Sequence, residues 1–148
     1  MFHKVKEVFP QADLMLNVMF ADGTTKEYDV APLLERFEAF APLADGGLFN
    51  AVSVDPGGYG VSWNDDIDLS CDELWEHGSV VKTPFDGLMA FSTAADLWGL
   101  NDSTLRKALV YGKIRPGIDA RKYGKQWIVT RSAMIREYGD PQEIKQVL

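Results

Sequence analysis

The chain has 148 residues, 46% of them hydrophobic and 25% charged, which is typical of one or two small folded domains. No apolar run approaches the roughly 18 residues of a transmembrane helix, and the first residues lack the pattern of a signal peptide. The single cysteine, Cys71, cannot form an internal disulfide. These features predict a cytoplasmic protein without a membrane partner.

The formal net charge of −7 is divided unevenly along the chain. Residues 1–81 hold four basic and 15 acidic residues, a net of −11, whereas residues 82–148 hold 11 basic and seven acidic residues, a net of +4. This division indicates two units with different electrostatic tasks. The basic half suits nucleic-acid phosphate, while the acidic half either faces away from the phosphate or serves only as a soluble surface.

A boundary between the units is predicted at residues 77–87, where Gly78, Pro84 and Gly87 interrupt any helical or strand period. Pro84 also biases the residue before it toward extended backbone. We therefore expect an α+β protein with three parts. Residues 1–79 form an acidic domain with a small antiparallel sheet and short helices, residues 80–90 form a linker, and residues 91–148 form a mostly helical, basic domain.

Short apolar runs bounded by turn residues predict the sheet of the first domain, and residues 25–30 also alternate between polar and apolar. Strands are expected at residues 5–9 and 14–20, and a returning strand at 25–30 follows the Asp22-Gly23 turn. Pro32 fits the first turn of a short helix, and residues 51–54 and 59–63 predict a second hairpin. Ser70 and Glu73 have capping-box spacing at the start of a helix that Gly78 ends.

The first domain contains no recognisable catalytic pattern. The acidic string at residues 64–68 is a candidate for a cation, but a calcium loop counted from Asp66 would need glycine at Cys71 and glutamate at His77. A solvated turn before a capped helix explains the same residues. Cys71 begins that helix, and such a cysteine is more often packed and inert than reactive. We therefore expect no enzyme activity, no cofactor and no bound metal.

The first domain resembles domain-of-unknown-function family 2442 over roughly residues 3–78. The matching residues include Leu16, Val18 and Phe20 before the Asp22-Gly23 turn, Tyr28-Asp29-Val30, Pro32-Leu33-Leu34, Val52, Val54, Asp55, Trp63, Asp66, Asp68, Leu69 and Glu73-Leu74-Trp75-Glu76. The family has no established biochemical activity. Some members occur beside proposed toxin genes, so the resemblance implies an antitoxin-like role with a toxin partner as one option. Other members carry a helix-turn-helix behind the domain, as is expected here.

Two short helices joined by a glycine turn are predicted in the second domain. The first is Phe91–Trp98, with Ser92 as its expected cap and Gly99 supplying the positive φ at its end. The second is Asp102–Tyr111, which turns apolar residues at i, i+3 and i+4 inward and ends at Gly112. This spacing is typical of a helix-turn-helix that binds DNA.

The residues after the second helix predict a β element and a last helix. We expect a basic strand and turn at residues 112–117, a basic loop at 119–124, a returning strand at 125–129 and a helix at 130–138. The order of these elements resembles the winged helix-turn-helix of the MerR and excisionase type. The segment between Arg115 and Lys125 is longer than the usual wing of that type. The residues that carry this resemblance are Ser92, Thr93, Ala95 to Leu100, Ser103 to Arg106, Gly112-Lys113-Ile114, Lys125 and Trp127 to Val129.

The second helix is expected to lie in the major groove of double-stranded DNA, with Arg106 reading a guanine edge. Ser103 and Thr104 lie near the helix N-terminus and suit phosphate or base contacts. The expected phosphate partners are Lys107, Lys113, Arg115, Arg121, Lys122 and Lys125.

A single small module would bind DNA weakly. To bind a particular DNA sequence we therefore expect a homodimer that contacts two half-sites. A weak apolar stripe of Ile144, Val147 and Leu148 is one means of pairing two chains. The alternative function is a protein-interaction module, in which the helix-turn-helix binds a protein and the acidic domain mimics a charged partner.

Overall fold

The computed structural model describes residues 2–141. The chain divides into two compact units, Met1–Asp86 and Gly87–Leu148, and each has its own hydrophobic core. The boundary falls inside the stretch expected as a linker, but both ends of that stretch are in strands, because Val80 and residues 88–90 pair with neighbouring strands. The molecule is a mixed α+β protein. The predicted apolar stripe of Ile144, Val147 and Leu148 lies outside the described residues.

The first unit is built from two antiparallel sheets and short helices. In chain order it contains β1 (Val5–Gln11), β2 (Met15–Phe20), β3 (Thr25–Asp29), α1 (Ala31–Arg36), α2 (Gly46–Phe49), β4 (Ser53–Val54), β5 (Gly60–Asn64), β6 (Ile67–Ser70), α3 (Cys71–His77) and β7 (Ser79–Val80). One sheet has the order β1-β2-β3-β7 and the other β4-β5-β6. The apolar run predicted as a strand at 14–20 contains β2, in which alternate residues are buried because successive side chains of a strand point to opposite faces.

The predicted turns of the first unit are confirmed. Gly23 has φ of +93° in the turn between β2 and β3, a conformation that glycine adopts at little cost. The Ser70 side chain accepts a hydrogen bond from the backbone N–H of Glu73 at 3.1 Å and caps α3, and Gly78 is the C-cap. Strands β6 and β7 were not predicted, because they have only four and two residues.

The second unit combines three helices with a three-stranded sheet. In chain order it contains β8 (Leu88–Ala90), α4 (Phe91–Trp98), α5 (Asp102–Tyr111), β9 (Ala120–Tyr123), β10 (Gln126–Thr130) and α6 (Arg131–Tyr138). The sheet is antiparallel in the order β8-β10-β9. The bounds of α4 and α5 are those predicted from the apolar spacing and the glycines at 99 and 112.

Three local predictions for the second unit are wrong. Ser92 does not cap α4, because the chain enters the helix from β8 and Ala90 is the N-cap. The stretch at 112–117 is not a strand but a turn with one isolated bridge, between Pro116 and Ala120. The expected loop at 119–124 is largely β9, whose exposed charged residues gave it the appearance of a loop. Among the described residues, no helix is long and apolar enough to cross a membrane.

Candidate nucleic-acid interface

The crossing of α4 and α5 depends on small buried side chains. Ala94 and Ala95 on α4 and Ala108 on α5 are all buried, so the two helices can approach closely. Leu105 lies fully buried at the start of α5. Gly99 adopts φ of +65° between the helices, and the backbone N–H of Leu100 donates to the carbonyl of Ala95 at 2.8 Å. This is the local geometry of a helix, a tight turn and a second helix.

The opposite face of α5 is open to solvent. Ser103, Arg106, Lys107 and Val110 are all exposed. Within residues 2–141, the side chains of Arg106 and Lys107 make no hydrogen bond or ion pair, so their charges are available to an outside partner. Thr104 is partly buried instead, and its backbone N–H bonds to the carbonyl of Asn101 at 3.0 Å. The structure thus brings Ser103, Arg106 and Lys107 onto one surface and sets Thr104 toward its edge.

A buried carboxylate organises the chain after α5. Asp119 accepts hydrogen bonds from the backbone N–H of Arg115 at 2.9 Å and from its Nε and Nη2 at 3.1 and 3.2 Å. Arg136 on α6 donates to the same carboxylate through Nη1 at 3.2 Å and Nη2 at 2.8 Å. These donors, Arg136 first, hold the pKa of Asp119 well below its usual range. The guanidinium of Arg115, expected to contact phosphate, is about half exposed but already paired with Asp119.

Asp119 was missed as a structural residue by the sequence reasoning, although a signal existed. It is the single acidic residue between Lys113 and Lys125, in a stretch otherwise rich in basic residues. A lone acid in such a stretch indicates an internal ion pair. Its second partner, Arg136, lies 17 residues further along the chain, and that contact cannot be derived from local spacing.

The remaining predicted phosphate partners lie on and beside the β9–β10 hairpin. Arg121 pairs in register with Ile128, and Lys122 pairs with Trp127. Because successive side chains of a strand point to opposite faces, Arg121 and Lys122 lie on opposite faces of the sheet. Arg121 also donates through Nε to the carbonyl of Gly117 at 3.2 Å. Lys125 is exposed in a tight turn beside Gly124, whose φ is +63°.

Lys113 is exposed just after α5. Its carbonyl accepts a hydrogen bond from Nη2 of Arg136 at 2.9 Å, and the next residue, Ile114, is fully buried. These contacts hold the backbone of Lys113 close to the end of α5. Ser103, Arg106, Lys107 and Lys113 form one set on or next to this helix, whereas Lys122 and Lys125 belong to the hairpin.

The first unit holds a small cluster of titratable groups around α3. Glu73 accepts a hydrogen bond from the Tyr28 hydroxyl at 2.7 Å and lies 3.1 Å from Nδ1 of His77. Burial, together with the bond to Glu73, raises the pKa of Tyr28. Burial also raises the pKa of the Cys71 thiol, with Asp72 adding to the effect. Both groups are thereby kept in their protonated forms.

The acidic string at residues 64–68 runs from the last residue of β5 through a two-residue turn into β6. The Asn64 side chain accepts the backbone N–H groups of Asp66 and Ile67 at 2.9 and 3.0 Å. Throughout residues 2–141, no group of three or more His, Cys, Asp and Glu side chains is placed to hold a metal ion.

The geometry of α4 and α5 defines the second unit as a helix-turn-helix domain. A domain of this class suggests DNA binding. A family model described as a helix-turn-helix domain matches residues 81–143. A second model, described as a protein of unknown function (DUF2442), matches residues 5–79, which is half of the chain. The chain therefore belongs to this family of unknown function. No curated protein and no solved structure matches the chain.

Proposed function

We propose that this protein is a cytoplasmic, non-enzymatic transcriptional regulator that reads the major groove of DNA with α5. The observation that carries the proposal is the open face of α5, on which Arg106 and Lys107 are exposed and make no ion pair with any residue from 2 to 141. A guanidinium of this kind can donate two parallel hydrogen bonds to a guanine edge. Ser103 sits one turn earlier, where hydroxyls and helix N–H groups suit phosphate.

The β9–β10 hairpin is proposed as a wing of the MerR and excisionase type. Its turn presents Lys125 to solvent, and Lys122 is exposed on one face of the hairpin. These two lysines, with Lys113 at the end of α5, suit the phosphates that flank a groove. Arg115 and Arg121 are given lesser roles, because their guanidinium groups already donate hydrogen bonds within the domain.

A homodimer is part of the proposal, because one module with a handful of phosphate contacts binds DNA weakly. Non-specific binding at physiological salt has a dissociation constant of about 10⁻⁴ to 10⁻⁶ M. Two half-sites about 34 to 36 Å apart, one helical turn of DNA, would bring both copies onto the same face. Sedimentation of the full chain tests this part, since a strict monomer at high concentration would remove it.

An antitoxin-like role is proposed for the first unit, with a toxin as its protein partner. The support is the family resemblance together with the charge of residues 1–81, whose net of −11 suits a basic protein surface and repels DNA. In this scheme the second unit binds DNA near the protein's own gene, and the first unit determines which partner joins it there.

Fluorescence anisotropy of a labelled random-sequence duplex at low salt tests DNA binding directly. The full chain is expected to bind with a strong salt dependence and to select a preferred sequence from a randomised library. The double variant Arg106→Ala/Lys107→Ala should bind the selected sequence much more weakly, whereas Arg36→Ala, which removes an exposed arginine of the first unit, should not. Absence of binding to any duplex at low salt would refute the proposal.

A protein-interaction module remains the second candidate, and one observation favours it. A groove at the sheet of the second unit is lined by Asp119, Ala120, Arg121 and Thr130 and by four exposed or half-exposed apolar side chains. The apolar ones are Leu88, Ile118, Tyr123 and Ile128. Apolar side chains of this kind mark protein contacts more often than phosphate contacts. A chain that fails to bind DNA but binds a protein through this face would favour the second candidate.

A further inference from the structure

Val110 is the most exposed large apolar side chain among residues 2–141, with 82% of its surface accessible to solvent. A single exposed apolar residue on a protein surface is ordinary. Valine is, however, only a moderate helix former, and at this position it gains nothing from burial. Its significance comes from its position on the face of α5 that carries Arg106 and Lys107.

Helical geometry places Val110 at the centre of that face. With about 100° of rotation per residue, Val110 lies about 40° around the helix from Arg106 and about 60° from Lys107. It lies about 20° from Ser103, which is seven residues earlier. The buried Leu105 and Ala108 lie on the other side of the helix. Four residues advance about 6 Å along the axis, close to the height of two base-pair steps.

The chemistry of valine limits what it can read in a groove. Its side chain has no hydrogen-bond donor or acceptor, so it cannot satisfy the polar edges of guanine, cytosine or adenine. Thymine alone presents an apolar group in the major groove, the C5 methyl, and apolar side chains contact it. A valine opposite a polar base edge would displace the water bound there and leave the donors and acceptors of that edge without a hydrogen-bond partner, which costs free energy.

We propose that Val110 contacts the C5 methyl of a thymine close to the guanine read by Arg106. This proposal rests on the proposed function and makes it more specific, because it assigns a second base to α5. The contact is apolar and does not involve phosphate, so it contributes to sequence preference without adding to the salt dependence of binding.

Removal of a single methyl group from the DNA tests the contact. The preferred duplex is first selected with the full chain from a randomised library. Each thymine is then replaced in turn by deoxyuridine, which lacks only the C5 methyl. One replacement should weaken binding of the wild-type chain about fourfold, which corresponds to one buried methyl-sized group.

The matched variants identify the protein side of the contact. Val110→Ala removes two methyl groups and should reduce the difference between the thymine and deoxyuridine duplexes to well below fourfold, whereas Ile118→Ala, an exposed aliphatic residue outside α5, should keep the fourfold difference. Folding of Val110→Ala is checked by circular dichroism and is expected to be unchanged, because the side chain is exposed. The inference is overturned if no thymine is sensitive to loss of its methyl, or if Val110→Ala retains the full difference. Failure to bind any duplex would instead refute the proposed function and this inference together.

Discussion

Arg136 donates two hydrogen bonds to the buried carboxylate of Asp119, at 3.2 Å from Nη1 and 2.8 Å from Nη2. The same Nη2 donates to the carbonyl of Lys113 at 2.9 Å, and Arg115 contributes three further donors to the carboxylate. Asp119 thus joins α6 to the turn after α5 and to the start of β9. Together with the backbone bonds from Asp119 and Ala120 to the carbonyl of Arg115, this carboxylate helps to position the hairpin relative to the end of α5.

Asp119→Asn should lower the free energy of unfolding of the second unit. The amide cannot accept bonds from five donors. It also removes the counter-charge of Arg115 and one of the two counter-charges of Arg136, which keeps its ion pair with Glu137 at 2.9 Å. We expect a loss of about 1 to 3 kcal/mol, below that of a fully buried pair because both arginines are about half exposed. Urea unfolding followed by circular dichroism measures this loss in the free energy of unfolding. Asp96→Asn, at an exposed acid on α4, is the control and should change stability little.

The stabilisation by Asp119 should depend on pH in the acid range. Its folded-state pKa lies well below the value of about 3.9 expected in the unfolded chain. The contribution is therefore fully present above about pH 4 and is lost as the pH falls below it. The gap in stability between the wild type and Asp119→Asn should be constant from pH 5 to 7 and should narrow from about pH 4 to 2. A gap that is unchanged at pH 2 would contradict this assignment.

The helices of the second unit could be predicted from the sequence because their determinants are local. Ala94, Trp98, Leu105 and Ala108 recur at helical spacing and are all buried. Gly99 and Gly112 end the two helices in left-handed backbone. Both kinds of signal lie within a few residues of the element that they define, so the bounds of α4 and α5 agree with the prediction.

Strand β9 and the contact between Arg136 and Asp119 could not be predicted, because their determinants are distant in the sequence. Three of the four residues of β9 are exposed, so no apolar alternation distinguishes the strand from a loop. Its hydrogen bonds come from β10. Likewise, nothing local to Arg136 indicates Asp119 as its partner. The case for DNA contacts by Arg115 and Arg121 is weaker for the same reason. Only the fold shows that their guanidinium groups already donate hydrogen bonds within the domain.

Gly99→Ala should destabilise the helix-turn-helix. Gly99 has φ of +65°, and a Cβ built there would meet nothing within 4 Å, so the cost is one of backbone conformation rather than of a clash. We expect a loss of about 1 kcal/mol. Gly99→Asn is the matched control, because asparagine tolerates left-handed backbone better than alanine. Equal losses for the two variants in guanidinium unfolding would rule out the conformational explanation.

Cys71 should be unreactive in the folded protein. Its side chain is buried at the start of α3, and burial raises the pKa of the thiol, so little thiolate is present or accessible near neutral pH. Titration with Ellman's reagent at pH 8 should show slow reaction of the native chain and rapid reaction in guanidinium. Fast modification of the native protein would indicate that Cys71 is a reactive thiol rather than a packed one.

Arg106→Ala and Lys122→Ala should affect DNA binding in different ways. Arg106 is expected to contact a base, so its loss should remove about 1 to 3 kcal/mol of discrimination at one guanine position. Lys122, on the hairpin, is expected to contact phosphate, so its loss should weaken binding to all sequences and reduce the salt slope by about one. Anisotropy titrations from 50 to 200 mM salt, on the selected duplex and on one with the guanine replaced, measure both quantities. If Arg106→Ala reduced only the salt slope and left the base preference intact, α5 would be bound to the backbone instead of reading the groove.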